Sequence, residues 1–102
     1  MPTHEWHFEV SPQARQQITD LPTSKQRMAI FAAIRQLLVS DNPTIVQGVR
    51  KLVGEHFKDQ WRQRQGDYRI IFSLAHGKVI HAGHSYKGTV QIWSVIHRSK
   101  AY

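Results

Sequence analysis

The chain has no cysteine, which rules out disulfides, thiol catalysis and thiolate metal ligation. It has no apolar run approaching the ~18 residues needed to span a bilayer, so no membrane-spanning helix is expected. Its first residues, MPTHEWHFEV, lack a basic segment followed by an apolar one; no signal peptide is expected, and the simplest setting is the cytoplasm. No repeat, linker or low-complexity stretch interrupts residues 1–102, which read as one domain able to bury a modest core. Negative charge is also scarce. Fourteen Lys and Arg stand against seven Asp and Glu, a net charge of +7 with neutral histidines. That imbalance costs self-repulsion in a compact fold and implies an anionic partner: nucleic acid, a membrane surface or an acidic protein.

The pattern of what is present predicts an α+β domain. Glu5 to Val10 alternates, with Trp6, Phe8 and Val10 on one side, and reads as a half-buried strand. Ser11-Pro12 has the form of an N-cap followed by proline at the first helical position. Ala14, Ile18 and Leu21 then give a short helix ending near Leu21-Pro22. Thr23 or Ser24 can cap a second helix, whose buried stripe is expected to be Met28, Phe31, Ile34 and Leu38, widened by Ile30 and Leu37. Ser40-Asp41-Asn42-Pro43 stops it.

From Val53 the expectation is β structure. Phe57 to Gln65 alternates so that Lys58, Gln60, Arg62 and Arg64 share a face opposite Phe57 and Trp61. Gln65-Gly66-Asp67 turns the chain into a strand from Tyr68 to Leu74, and a last strand runs from Val90 to His97. Between them, AHGKVIHAGHSYKGT holds two turn signals around a possible strand, Val79 to His84. As a full sheet strand, that segment would leave the last strand parallel to Tyr68–Leu74, which short turns cannot connect. A hairpin with an enlarged, partly extended tip is the preferred reading. The expected order is β-α-α-β-β-β, a small antiparallel-rich sheet with a helical hairpin packed on it.

Two clusters carry chemistry. Arg62 and Arg64 lie two apart on one strand, and Arg69 sits just across the turn; forked guanidinium groups so placed can grip a phosphate. A solvated face bearing long basic side chains is the plain alternative, although only Asp59 and Asp67 lie near enough to neutralise the group. The second cluster is the C-terminal VIHRSKAY. Histidine is the residue type that exchanges protons near neutral pH, Arg98 can stabilise developing negative charge, and Tyr102 carries a ring and a hydroxyl. A frayed basic tail is the alternative here. His81 and His84, three apart with no Cys or carboxylate nearby, do not make an expected metal site. Trp6, Trp61 and Trp93 alternate with polar neighbours and are expected in the core.

Taken together, VRKLVGE, then WRQRQGDYRIIF, then a strand ending in HRSKAY resemble the RelE/ParE superfamily of toxin-antitoxin toxins. The joint pattern is W-R-x-R, then G-D-Y-R-I-I, then H-R-x-x-x-Y. The resemblance covers residues 6 to 102 and implies a RelE-like fold, a cognate antitoxin protein, and one of two activities. In the RelE-like branch it implies an mRNA endonuclease acting in the ribosomal A site, where the message's own 2'-hydroxyl attacks the adjacent phosphate. Arg62, Arg64, Arg69, Arg98 and Tyr102 then match the family's functional positions, His97 is a catalytic candidate beside them, and Lys58 and Lys100 join the arginines in RNA binding. No metal or cofactor is implied, because the nucleophile belongs to the substrate. Some members of that branch carry lysines where Arg62 and Arg64 stand. Arginine cannot readily give up a proton, so the general base or acid falls to His97, with Glu55 a weaker candidate. In the ParE-like branch the same fold implies inhibition of DNA gyrase. A non-catalytic nucleic-acid-binding domain would use the same charge, but gives no reason for His97 and Tyr102.

Overall fold

A computed structural model of the chain describes residues 4–100, apart from the side chain of Phe57. It is an α+β fold in which strand β1 (His7–Val10) leads into helix α1 (Pro12–Thr19) and helix α2 (Ser24–Val39), followed by strands β2 (Val49–Lys51), β3 (Gln60–Gln65), β4 (Tyr68–His81) and β5 (His84–His97). The strands lie in the order β1-β5-β4-β3-β2, with β1 parallel to β5 and every other pair antiparallel.

Local chemistry sets the helix starts. The Ser11 hydroxyl accepts the Ala14 N–H at 3.0 Å, and Pro12 occupies the first turn, where no amide donor is needed. Thr23 and Gln26 form a reciprocal capping box: the Thr23 hydroxyl accepts the Gln26 N–H, and the Gln26 side chain accepts the Thr23 N–H. Both helices lie on one side of the sheet. Ala14 and Ile18 of α1, Leu21 after it, and Ile30, Ala33, Ile34, Leu37 and Leu38 of α2 bury against Ile70, Phe72, Val90, Ile92 and Val95. Removing such a side chain from water is worth ~1.5–3 kcal/mol.

The buried stripe of α2 differs from the expected one. Met28 is 70% exposed and Phe31 55% exposed, while Ala33 is buried at 1%. Helix α2 carries two adjacent apolar arcs that share Ile34 and Leu38, and at 3.6 residues per turn either could face inward. The arc containing Ala33 wins because its small side chain lets the helix approach the sheet, leaving Met28 and Phe31 outside.

The β half contains one strand more than expected, and its boundaries shift. VRKLVGE supplies the edge strand β2. Glu55–Phe57 is a 3-10 turn, and Asp59 has φ 59°, so the strand begins at Gln60 and Lys58 lies outside its alternation. The segment after Leu74 is a continuous hairpin: β4 and β5 pair out to His81 and His84, joined by Ala82-Gly83 with both φ values positive, as in a type I′ loop. The separate Val79–His84 strand does not form.

Two β4–β5 irregularities matter. Between His76 and Val79 the register shifts as the ribbon leaves the sheet. Between Ile71, paired with Ser94, and Phe72, paired with Ile92, a bulge on β5 leaves Trp93 as the extra residue. Helix α1 satisfies the polar groups this exposes: the Val95 N–H donates to Gln17 Oε1 at 2.7 Å and the Ser11 hydroxyl donates to the Trp93 carbonyl at 2.8 Å.

Trp6 fixes the root of the ribbon. Its indole N–H donates to the Ser40 carbonyl at 3.1 Å, and its ring lies against Gly88. Beside it, Lys87 pairs with Asp41 and, at 3.9 Å, with Glu5. The Lys87 hydrogen bond holds the exposed Asp41 carboxyl below its usual range, so this contact acts above about pH 4 and fades on acidification below it. A Cβ at position 88 would stand 2.5 Å from the Ala75 carbonyl oxygen and 2.6 Å from the Trp6 ring. Gly88→Ala is therefore expected to destabilise by about 2 kcal/mol or more, read as a lower denaturant midpoint at unchanged slope. By contrast, Gln63 is 1% exposed and its Oε1 has no hydrogen-bond partner among the described residues. Gln63→Met removes that orphan at similar volume and is expected to raise stability by about 1 kcal/mol in the same titration.

Candidate nucleic-acid interface

Strand alternation sorts the hairpin into two faces. On β3, Trp61 and Gln63 turn toward the helices, which sends Gln60, Arg62 and Arg64 to the other side. On β4, Ile70 and Phe72 enter the core, so Arg69, Ile71 and Ser73 share the arginine side. Cross-strand register then aligns the charges. Arg64 stands opposite Arg69, and Arg62 lies between Ile71 of β4 and Arg50 of β2. Arg50, Arg62, Arg64 and Arg69 thus form one basic field on the face without helices.

This field is not neutralised from within. None of the four arginines forms an ion pair among the described residues. Carbonyl groups orient two of them. Arg62 Nη1 donates to the Gly48 carbonyl at 2.9 Å, and Arg69 Nη1 donates to the carbonyls of Gly66 and Tyr68 at 3.0 and 2.9 Å. Gly48 has φ +88° and also accepts the Arg64 N–H at 3.0 Å, so one glycine carbonyl joins both arginines of β3. These bonds leave most guanidinium donors free for an anion, since each group carries five. A depression of ≈ 400 Å³ lies between Gln47, Gly48, Arg50, Arg62 and Arg64.

Arg98 of the C-terminal cluster meets the hairpin at its turn. Gly66, with φ 57°, occupies the first central position of the two-residue β3–β4 loop, and Asp67 follows it. The Arg98 N–H donates to the Asp67 carbonyl at 2.7 Å, and Arg98 Nε stands 3.5 Å from Asp67 Oδ1. Arg69 of β4 and Arg98, in the 3-10 turn that follows β5, therefore both reach Gly66-Asp67.

His97 does not join the arginine face. It pairs with Tyr68 across the ladder, and the two rings meet edge-on at 5.4 Å on the helix side of the sheet. The β5 bulge is the cause. Continued from Val90 and Ile92 without it, the alternation would turn His97 toward the arginines; the extra residue reverses the parity, so that Val95 is buried and His97 follows it. His97 Nδ1 accepts the Ser99 N–H at 3.2 Å and lies 2.9 Å from the Ser99 hydroxyl, which assigns the proton of a neutral ring to Nε2. A hollow of ≈ 130 Å³ lined by Gln26, Gln65, Asp67 and Tyr68 flanks the turn on this side.

Of the remaining residues named from sequence, Lys58, Glu55 and Lys100 are exposed outside the strands; the first two precede β3 and the last lies in the 3-10 turn Arg98–Lys100. Tyr102 lies outside the described residues. No cluster of three metal-ligating side chains occurs among the described residues, and no helix among them is long and apolar enough to cross a membrane.

Two contributors were missed. Arg50 becomes part of the field only through β2, a three-residue strand too short to show alternation. Trp93, expected in the core, is 41% exposed. Its indole N–H donates to the Ser73 hydroxyl at 2.8 Å, which lays the ring on the arginine side. The alternation from Val90 and Ile92 already contained this signal: if those two are buried, Trp93 cannot be.

No family model and no curated protein matches the chain. Solved structures do. It is similar to the archaeal RelE-RelB complex from Pyrococcus horikoshii, with a TM-score of 0.62 and 23% identity over 95% of this chain and 99% of that one. It is also similar to the RelB-RelE antitoxin-toxin complex from Methanococcus jannaschii, with a TM-score of 0.59 and 18% identity over 88% of this chain and 89% of that one. The RelBE2 toxin-antitoxin complex from Mycobacterium tuberculosis gives a TM-score of 0.54 and 22% identity over 92% and 99%. The chain thus has the fold of the RelE toxins, as its sequence resemblance implies.

Proposed function

We propose that this protein is the toxin of a toxin-antitoxin pair and an endoribonuclease that cuts mRNA on the ribosome, in the cytoplasm. The observation that carries the reading is the field of Arg50, Arg62, Arg64 and Arg69, which lacks carboxylate partners among the described residues and meets Arg98 at the Gly66-Asp67 turn. Trp93 on the same face offers a ring for base stacking. This combination favours RNA over a purely electrostatic contact.

In this reading the arginines hold the scissile phosphate and stabilise the charge that builds on its non-bridging oxygens. The 2'-oxygen bonds to phosphorus and the P–O5' bond breaks, leaving a 2',3'-cyclic phosphate and a 5'-hydroxyl that has gained a proton. Positioning supplies much of the rate, because attack needs the 2'-oxygen, phosphorus and 5'-oxygen in line. Arginine does not act as the base. His97 and Tyr102 complete the site from the C-terminal end as the proton carrier and the base contact. Because His97 is on the opposite face, RNA reaches it and the arginines together only by crossing the Gly66-Asp67 turn, where Arg69 and Arg98 converge. Lys58 and Lys100 add flanking positive charge.

The partner in this reading is a cognate antitoxin, an acidic or amphipathic segment. The outward arc of α2, with exposed Met28, Phe31 and Ala32 and half-buried Val39, gives such a segment an apolar seat beside Arg35. The solved structures of similar fold are named as complexes of RelE with RelB, which supports this pairing.

The test is induction in growing cells with mapping of mRNA ends inside translated frames. Wild-type protein is expected to arrest growth and produce codon-phased cuts. Arg69→Ala and Arg98→Ala are expected to lose both by 100-fold or more, on the scale of a lost charge-stabilising donor, while their far-UV circular dichroism is unchanged. Cleavage retained in both variants removes the site assignment, and intact mRNA with induction of the DNA-damage response assigns gyrase as the target instead.

A further inference from the structure

The end of the β4–β5 ribbon holds a second concentration of chemistry that the arginine field does not use. Strand β1 covers β5 only over Thr89–Ile92, so residues 76–88 project beyond the sheet as a two-stranded ribbon. Along it, rings gather from three segments: His7 stands 5.0 Å from His81 and 5.4 Å from Tyr86, and His84 stands 6.4 Å from Tyr86. His81 and His84 are exposed, as is Lys78 at the register shift.

Carboxylates near these rings are few: Glu5, which shares a hollow with His84 and Tyr86, and Asp41. No Asp or Glu follows Asp67 anywhere in the sequence. Glu5 and Asp41, which lie at the ribbon's root, are both engaged by Lys87. The root itself is held by the Trp6 ring against Gly88 and by the Lys87 N–H donating to the Glu5 carbonyl at 3.1 Å, so the array is carried on a fixed base. Planar rings with polar edges, on a ribbon that also exposes the Lys78 ammonium, match a nucleic-acid strand better than a lipid surface. A membrane contact would call for Trp, Phe or Leu at the tip, and Ile80 is the only large aliphatic side chain exposed there. An acidic peptide would use the charge but have no need of the rings.

We propose that His7, His81, His84, Tyr86 and Lys78 form a second RNA-binding surface, on which bases of an unpaired RNA segment stack while Lys78 meets the backbone. This surface and the arginine field occupy opposite ends of β4, in a molecule 39 Å along its longest axis. An RNA touching both gains the avidity of two linked contacts. Binding at the ribbon does not depend on whether the arginine face cleaves.

The experiment is fluorescence anisotropy with a labelled, unpaired 20-nucleotide RNA and the full chain, in the Arg62→Ala/Arg64→Ala background so that the other face contributes little. Lys78→Ala/His81→Ala/His84→Ala is expected to weaken the remaining binding roughly tenfold, the scale of one lost base-stacking contact. Tyr86→Phe is expected to retain affinity and Tyr86→Ala to lose it, which separates the ring from the hydroxyl. Circular dichroism and the melting temperature check that each variant keeps its fold. Affinity within twofold of the parent in the folded triple variant overturns the proposal. So does a loss of binding to a glutamate-rich peptide with RNA binding unchanged, which assigns the ribbon to an acidic protein.

Discussion

The pairing of β3 with β4 is the constraint on which the rest of the molecule depends. Burial of Ile70 and Phe72 in the core shared with the helices fixes which side of β4 faces inward, and their pairing with Gln63 and Trp61 turns those two inward on β3. Arg62, Arg64 and Arg69 are left to share the outer face as a consequence. A slip of one residue would drive the arginines toward the core, where their desolvation is prohibitive. The fold is thus held by its apolar face, and the function is carried by what that face excludes.

Placing like charges opposite one another in a sheet is unfavourable, and Arg64 faces Arg69 while Arg50 faces Arg62. The molecule moderates this with backbone carbonyls at Gly48, Gly66 and Tyr68 rather than with carboxylates. A carbonyl orients a guanidinium without cancelling its charge. The field is therefore preorganised and still electropositive, as an anion site requires. Gln63, buried directly beneath it with an orphan oxygen, is the one polar residue of the core face for which the described residues offer no compensating contact.

Much of this was legible in the sequence, because period and capping chemistry are local. Ser11-Pro12, the Thr23 cap, the Gly66-Asp67 turn and the shared face of Arg62 and Arg64 all appear as read. What was not legible depends on contacts between distant segments. Helix α2 offers two apolar arcs, and only docking on the sheet decides that Met28 and Phe31 stay outside. Strand β2 is an edge that exists because β3 offers it a partner. The β5 bulge is stabilised by Gln17 and Ser11 from α1, far away in sequence, yet it alone decides which way His97 faces. Trp93 is a different case, since strict alternation from Val90 and Ile92 would have placed it outside.

The most direct test of a phosphate held for in-line attack uses purified ribosomes programmed with two messages that differ in one atom. One is all-RNA, and the other carries a single 2'-deoxynucleotide on the 5' side of the cut position. The first is expected to be cut to a 2',3'-cyclic phosphate end and the second to stay intact at that position, with other sites unaffected. Equal cutting of both messages at the substituted position would contradict in-line attack by the 2'-oxygen.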